Sequence, residues 1–329
     1  MKIIKNVILL AVCFLFLSGC NHENEKEVKT YFKEKYGIDV IVTDWGGIHS
    51  GNMGHTYHTV QVKNNKHIQF RLEVDGLFYS TIIGDEYKNG KNAYEEYEKF
   101  KPILKEIEKL GFSELEEENT IQYITDHNEE LLNNNLLLTL KTSNKIDYSQ
   151  FESTELDRFF ALLQLIQRNN KKITELNIKD NAGEYTRFYY TNIQKNPTKE
   201  ELLLAMKNAS PDYWTYLIET QVHDKIKEIQ NERFIFKEIT CSYTKNGDCP
   251  EYNVTLDFND GMLQYKNNPN LIEDLTRLAT WIKEELHNKQ FHITLTYKGG
   301  TKFEGRMLSE DMEKSNSVED YMKEYFLEK

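Results

Sequence analysis

Residues 44–58, DWGGIHSGNMGHTYH, hold the side chains best suited to chemistry. His49, His55 and His58, with Asp44 nearby, are ligand types for zinc or copper, and four glycines permit sharp turns between them. His67 follows, so four of the nine histidines fall within nineteen residues. Spacing works against a metal centre. His55 and His58 stand three apart at the start of an expected strand, where positions i and i+3 face opposite sides. A histidine cluster by itself also lacks the outer partners that orient metal-bound imidazoles. The stretch therefore reads as a glycine-rich connecting loop with surface histidines. They remain weak candidates for metal ligands, and no cofactor is expected.

Other reaction centres are missing from the sequence. GIHSG at 47–51 places His49 where a nucleophile elbow needs serine. There is no H-E-x-x-H, P-loop or G-x-G-x-x-G. DFNDG at 257–261 begins like a calcium loop, but its glycine comes one position early and the later glutamate is absent, so a turn is expected. Asp126-His127 and the pair Glu219 and His223 bring acid near histidine without a nucleophile to serve.

The chain has 329 residues, and its 53 acidic against 41 basic side chains give a net charge of -12. A surface this acidic repels phosphate backbones and anionic headgroups, which argues against nucleic acid as a partner. An apolar share of 39%, with 17 Phe and 20 Tyr, is enough to build packed cores. The length suits two or three domains.

VKTYFKEKY from Val28, ending at Gly37, has the pattern of a short helix with a glycine cap. Strand-like runs follow at 38–43, 56–62 and 67–74, the last two joined by KNNK. The tract 93–110 reads as a helix kinked at Pro102 and stopped by Gly111. Beyond it lies an internal correspondence. When Thr139-Leu140 is set on Thr255-Leu256, Leu156, Phe159, Leu162 and Ile166 fall on Ile272, Leu275, Leu278 and Ile282. Both sets repeat at the period of a buried helix face. One residue of shift then brings Leu176 and Ile178 onto Ile293 and Leu295, which alternate as strands do. IQYIT at 121–125 and FKEIT at 236–240 precede the two blocks, and EYTRFYYTNI and TKFEGRML follow them. The same order of strand, strand, helix, strand, strand thus occurs twice. Helices are expected at 198–208, 213–230 and 318–327. The aromatic groups Tyr185, Phe188, Tyr189, Tyr190 and Tyr213, Trp214, Tyr216 are expected chiefly in cores.

The first twenty residues carry an address. Lys2 and Lys5 precede an unbroken apolar run from Val7 to Leu17, and Ser18 and Gly19 supply small side chains before Cys20. The run is too short to span a bilayer, which needs about 20 apolar residues. Leu17-Ser18-Gly19-Cys20 closely resembles the lipobox of bacterial lipoproteins. The resemblance implies cleavage between Gly19 and Cys20, a diacylglycerol on the Cys20 sulfur, and a mature chain held by lipid on the outer face of the cell membrane. Removing 1–19 would take two lysines and no acid, leaving 39 basic and 53 acidic side chains and a charge of -14. With Cys13 lost and Cys20 acylated, Cys241 and Cys249 form the remaining pair in the exported part. They flank SYTKNGD, whose Asn246-Gly247 marks a hairpin turn, and a disulfide is favoured there over a zinc site.

The expected fold is α+β, with a small N-terminal helix-plus-three-strand domain followed by two similar β-β-α-β-β modules and connecting helices. Its segments are signal peptide 1–19, polar leader 20–27, N-terminal domain 28–90, connecting helix 91–113, first module 114–195, helical connection 196–232, second module 233–308 and C-terminal helix 309–329. Each module would expose one sheet face, a natural docking surface. The expected role is a non-catalytic, extracytoplasmic binding protein, attached to the membrane by lipid and engaging an envelope or surface protein. The alternative is an envelope hydrolase, or a metal-binding or ligand-capture lipoprotein, that uses the loop from His49 to His58.

Overall fold

The computed structural model describes residues 25–45, 55–75, 81–116, 119–125, 131–264, 266–287, 289–298 and 303–327. The chain is α+β and divides into two compact units. One comprises residues 1–144, 162–184 and 191–195, and the other 145–161, 185–190 and 196–329. The first β-β-α-β-β segment is thus shared between the units, and the second lies wholly in one.

The first unit opens with helix α1, residues 25–36. Val28 and Phe32, one turn apart, are its buried positions. Gly37 ends it at φ 72°, with its N–H donating to the Lys33 carbonyl at 3.1 Å, a left-handed cap that glycine adopts without strain. An antiparallel sheet follows, β1 (Val40–Trp45), β2 (His55–Val62), β3 (Asn65–Asp75) and β4 (Thr81–Asp85), with the strands adjacent in that order. Val28, Phe32, Val40, Val60, Phe70, Leu72 and Val74 form its core. β4 is a fourth strand where three were expected. It lies at the sheet edge with Thr81 and Ile83 exposed, so it lacks the polar-out alternation that betrays a strand in sequence.

Helix α2 (Tyr87–Phe100) lies against β3. At Gly90 a Cβ would stand 2.5 Å from the Gln69 carbonyl oxygen, so glycine is what lets the two backbones touch. Pro102 sits in a 3-10 turn at 101–103 that separates α2 from α3 (Leu104–Lys109). Next come β5 (Phe112–Ser113), β6 (Ile121–Thr125), β7 (Leu131–Thr142), α4 (Leu156–Asn169), β8 (Ile173–Lys179) and β9 (Thr186–Tyr190). β7 runs antiparallel to β5 and β6 and parallel to β8.

In the second unit α5 (Lys199–Ala209) starts with a capping box. The Glu201 N–H donates to Thr198 Oγ1, and the Thr198 N–H donates to the Glu201 carboxylate. α6 (Pro211–Ile229) has its proline at the first helical position, where no N–H is needed. Then follow β10 (Phe234–Lys245), β11 (Asp248–Phe258), α7 (Leu271–Glu285), β12 (Gln290–Tyr297), β13 (Phe303–Leu308), α8 (Ser309–Lys314) and α9 (Val318–Leu327). The four strands form one sheet in chain order, with β11 and β12 parallel and both outer pairs antiparallel. The C-terminal helix expected over 309–329 is thus two helices, broken at 315–317.

The two β-β-α-β-β segments agree in register. Leu138 pairs with Leu176 and Leu140 with Ile178, while Val254 pairs with Ile293 and Leu256 with Leu295. These are the positions that the internal correspondence superposes. The helix stripes Leu156, Phe159, Leu162, Ile166 and Ile272, Leu275, Leu278, Ile282 are all buried. The leading strands match differently. Placing IQYIT beside FKEIT puts Ile121 on Phe236, whereas the ladders pair Ile121 with Leu138 and Ile239 with Val254. A shift at Phe236/Glu238 in β10 accounts for part of that offset.

Candidate functional site

The open face of the β10–β13 sheet brings together polar residues that the sequence scatters. Along β11 the even positions Tyr252, Val254, Leu256 and Phe258 are buried in the core that α7 caps, and the odd positions Glu251, Asn253, Thr255 and Asp257 are half-buried on the other side. β12 repeats the pattern, with Phe291, Ile293 and Leu295 inward and His292, Thr294 and Thr296 outward. Cross-strand register then makes two rows of four. Thr240, Asn253, His292 and Leu308 lie side by side, and so do Glu238, Thr255, Thr294 and Arg306.

A hydrogen-bonded chain runs over these rows. His292 Nε2 stands 3.2 Å from Glu251 Oε2, and Arg306 Nη2 meets His292 Nδ1 and, at 3.4 Å, Asn253 Oδ1. Because a guanidinium only donates, Nδ1 must accept, and these partners assign the proton to Nε2, which donates to Glu251. Burial lowers the pKa of His292, Glu251 raises it, Arg306 lowers it again and Glu310 raises it, and the balance lies below the ordinary value. The ring is therefore neutral at pH 7 with both nitrogens engaged. Such an imidazole fixes its neighbours in place and has no lone pair left for a general base. Thr255 Oγ1 donates to Glu238 Oε1 at 3.2 Å on the same face.

The hairpin beside this face is stapled. Lys245 pairs with Asp248 across Asn246 and Gly247, at φ 52° and 72°, both positive as a type I′ turn requires. Cys241 and Cys249 are joined by a disulfide, Cα atoms 6.0 Å apart.

Gly19, Cys20 and His49 lie outside the described residues, as does Asp126-His127. His55 and His58 belong to one strand, opposite Asp75 and Leu72 respectively. His58 is buried; desolvation lowers its pKa, and the Asp44 charge opposes this only in part. His67 stacks on Tyr97 with ring centroids 4.3 Å apart and planes 17° from parallel. Desolvation lowers its pKa too, ahead of the opposing Glu114. Among the described residues, no three His, Cys, Asp or Glu side chains are grouped to hold a metal. Glu219 and His223 lie on α6, and DFNDG forms a turn in which the Met262 N–H donates to the Asn259 carbonyl. Of the aromatic groups, Phe188 and Tyr213 are buried while Tyr185 and Tyr189 are exposed.

Asp85 was missed from sequence. Its side chain, 1% exposed, accepts from Tyr31 Oη at 2.6 Å, Lys35 Nζ at 2.7 Å, Tyr36 Oη at 3.0 Å and the Tyr87 N–H at 3.2 Å. Burial pushes its pKa up, and the bonds from Lys35, Tyr31 and Tyr36 more than offset that, holding it below the usual carboxylate range. With its oxygens so occupied, Asp85 fastens α1 to the start of α2. Only the helical spacing of Tyr31 and Lys35 hinted at it.

No family model and no curated protein matches the chain. Among solved structures, a DUF5037 family protein from Ruminococcus gnavus ATCC 29149 is similar over 56% of this chain and 98% of its own, at 13% identity and a TM-score of 0.33. At that score the likeness carries no argument. Among the described residues no helix is long and apolar enough to cross a membrane.

Proposed function

We propose that the chain is a lipid-anchored, extracytoplasmic binding protein without a catalytic role, which engages an envelope or surface protein through the open face of its C-terminal sheet. One observation carries the binding role: Glu251, His292, Arg306 and Asn253 form an ordered polar array on a sheet face whose opposite side is packed on α7. A preorganised rigid array lowers the ordering cost of association, and a neutral, doubly bonded imidazole supports recognition over proton transfer. The address rests on Leu17 to Cys20, with acyl chains contributing about 0.8 kcal/mol per buried methylene.

Two measurements test this reading. Cys20→Ser is expected to move the protein from the membrane fraction to the soluble fraction, and unchanged partition and processing would remove the address. A photo-cross-linker placed at Thr294 on intact cells is expected to give one discrete protein adduct that the same group at the exposed Glu228 of α6 does not give. Identical adduct patterns at the two positions, or a hydrolase activity abolished by His292→Ala, would overturn the binding role.

A further inference from the structure

A concave site lies within the first unit, where α2 packs against β3. Thr59 of β2, Gln69 and Arg71 of β3, Glu86, Asn89 and Gly90 at the start of α2, and Asn119, Gln122 and Tyr123 at β6 enclose about 200 Å3. That is the liquid volume of roughly seven waters, well below the span of a drug-sized pocket and the size of one small ring. We propose that this groove binds a single neutral sugar residue.

The lining chemistry selects that class. Arg71 and Glu86 neutralise each other, with Nη2 and Nε 2.6 and 3.2 Å from Glu86 Oε1, so an ionic ligand would have to compete with a pair already made. One carboxylate is too little for a divalent cation. An apolar ligand would strip water from amides and leave them unpaired. Beside Phe70 and Ala93, four amide side chains line the groove: Gln69, Asn89, Asn119 and Gln122. An amide carries both donor and acceptor atoms, and a set of them can meet a ring with hydroxyls on every side. Asn119 is prepared for this. In the orientation that satisfies its surroundings its NH2 donates to the Lys66 and His67 carbonyls, both at 3.2 Å, which holds the amide in a single orientation at the groove wall. Gln69 is braced by donating to Gln61 Oε1 at 3.3 Å. Tyr123 adds an aromatic surface for the C–H face of a sugar.

The site is separate from the open face of the C-terminal sheet and stands or falls without it. The test is ligand-observed NMR on the full chain, using glucose and N-acetylglucosamine as free sugars and β-1,4-linked tetramers of each as glycan chains. Saturable binding is expected with a dissociation constant on the order of 1 mM for at least one sugar. Tetramers binding no tighter than monomers would identify a free sugar as the ligand, and a gain of tenfold or more would identify a glycan chain. Asn89→Leu and Gln122→Leu, each removing a paired hydrogen bond, are expected to weaken binding about tenfold or more at unchanged melting temperature. In the unmodified protein, amide shifts on sugar addition are expected to cluster on the lining residues, which locates the ligand without a variant. Absence of saturable binding by all four probes, binding unaffected by both substitutions, or shifts confined to other surfaces would each overturn the assignment.

Discussion

The two β-β-α-β-β segments are alike inside and different outside. Their parallel pairs share one register, Leu138 on Leu176 and Val254 on Ile293, and their helices bury the same four positions. On the outward side the half-buried Leu137 and Glu175 stand across from each other in the first, where Asn253 and His292 do so in the second. Inward positions are constrained by close packing, where a single methylene is felt. Outward positions meet no such demand, so a function held by one segment and not the other must be written there.

The largest expected effects test the inward likeness. Leu162→Ala and Leu278→Ala, at corresponding fully buried positions, should each cost about 3 kcal/mol in chemical denaturation. A cost under about 1 kcal/mol at one of them would break the equivalence. Removing the disulfide with Cys241→Ser and Cys249→Ser should cost roughly 2 to 3 kcal/mol from the entropy of an eight-residue separation. Melting of an isotopically labelled chain should place that loss in the second segment. Gly247→Ala forces a side chain into a φ of 72° beside Leu204 and should cost about 1 kcal/mol by the same denaturation assay.

The smallest effect is in the pH dependence. His292 has a folded-state pKa below its ordinary value of about 6.5. As pH falls through 6.5 the unfolded chain takes the proton first, so stability is lost from there down to the folded pKa. His58 and His67 act in the same direction in the first unit. His292→Gln should flatten the slope of stability between pH 7 and 5 for the second segment and leave the first unit unchanged. An unaltered slope would place the His292 proton elsewhere than the array implies.

Much of the framework was legible because its signals are local. The stripe Ile272, Leu275, Leu278, Ile282 needs only a 3.6-residue period, and Asn246-Gly247 needs only the steric tolerance of two residues for positive φ. Pro102 announced the break between α2 and α3 through its own missing donor. β4 escaped because an edge strand with exposed Ile83 has no alternation to show. The polar array escaped for a different reason. Glu251, His292 and Arg306 are 41 and 14 residues apart, and only the parallel register of β11 with β12 and the antiparallel register of β12 with β13 make them neighbours. The histidines of 44–58 drew attention by proximity in the chain, yet in β2 His58 is turned inward beside Val60 and Leu72.

Gly90 carries one more consequence. Where α2 meets β3 the contact is main chain on main chain, so the width of the groove beside it is set by atoms that have no rotamers. Exchanging Asn89 or Gln122 can alter what the recess recognises without moving the two backbones that meet beside it. Shape and selectivity there are inherited separately, and drift in the second need not endanger the first.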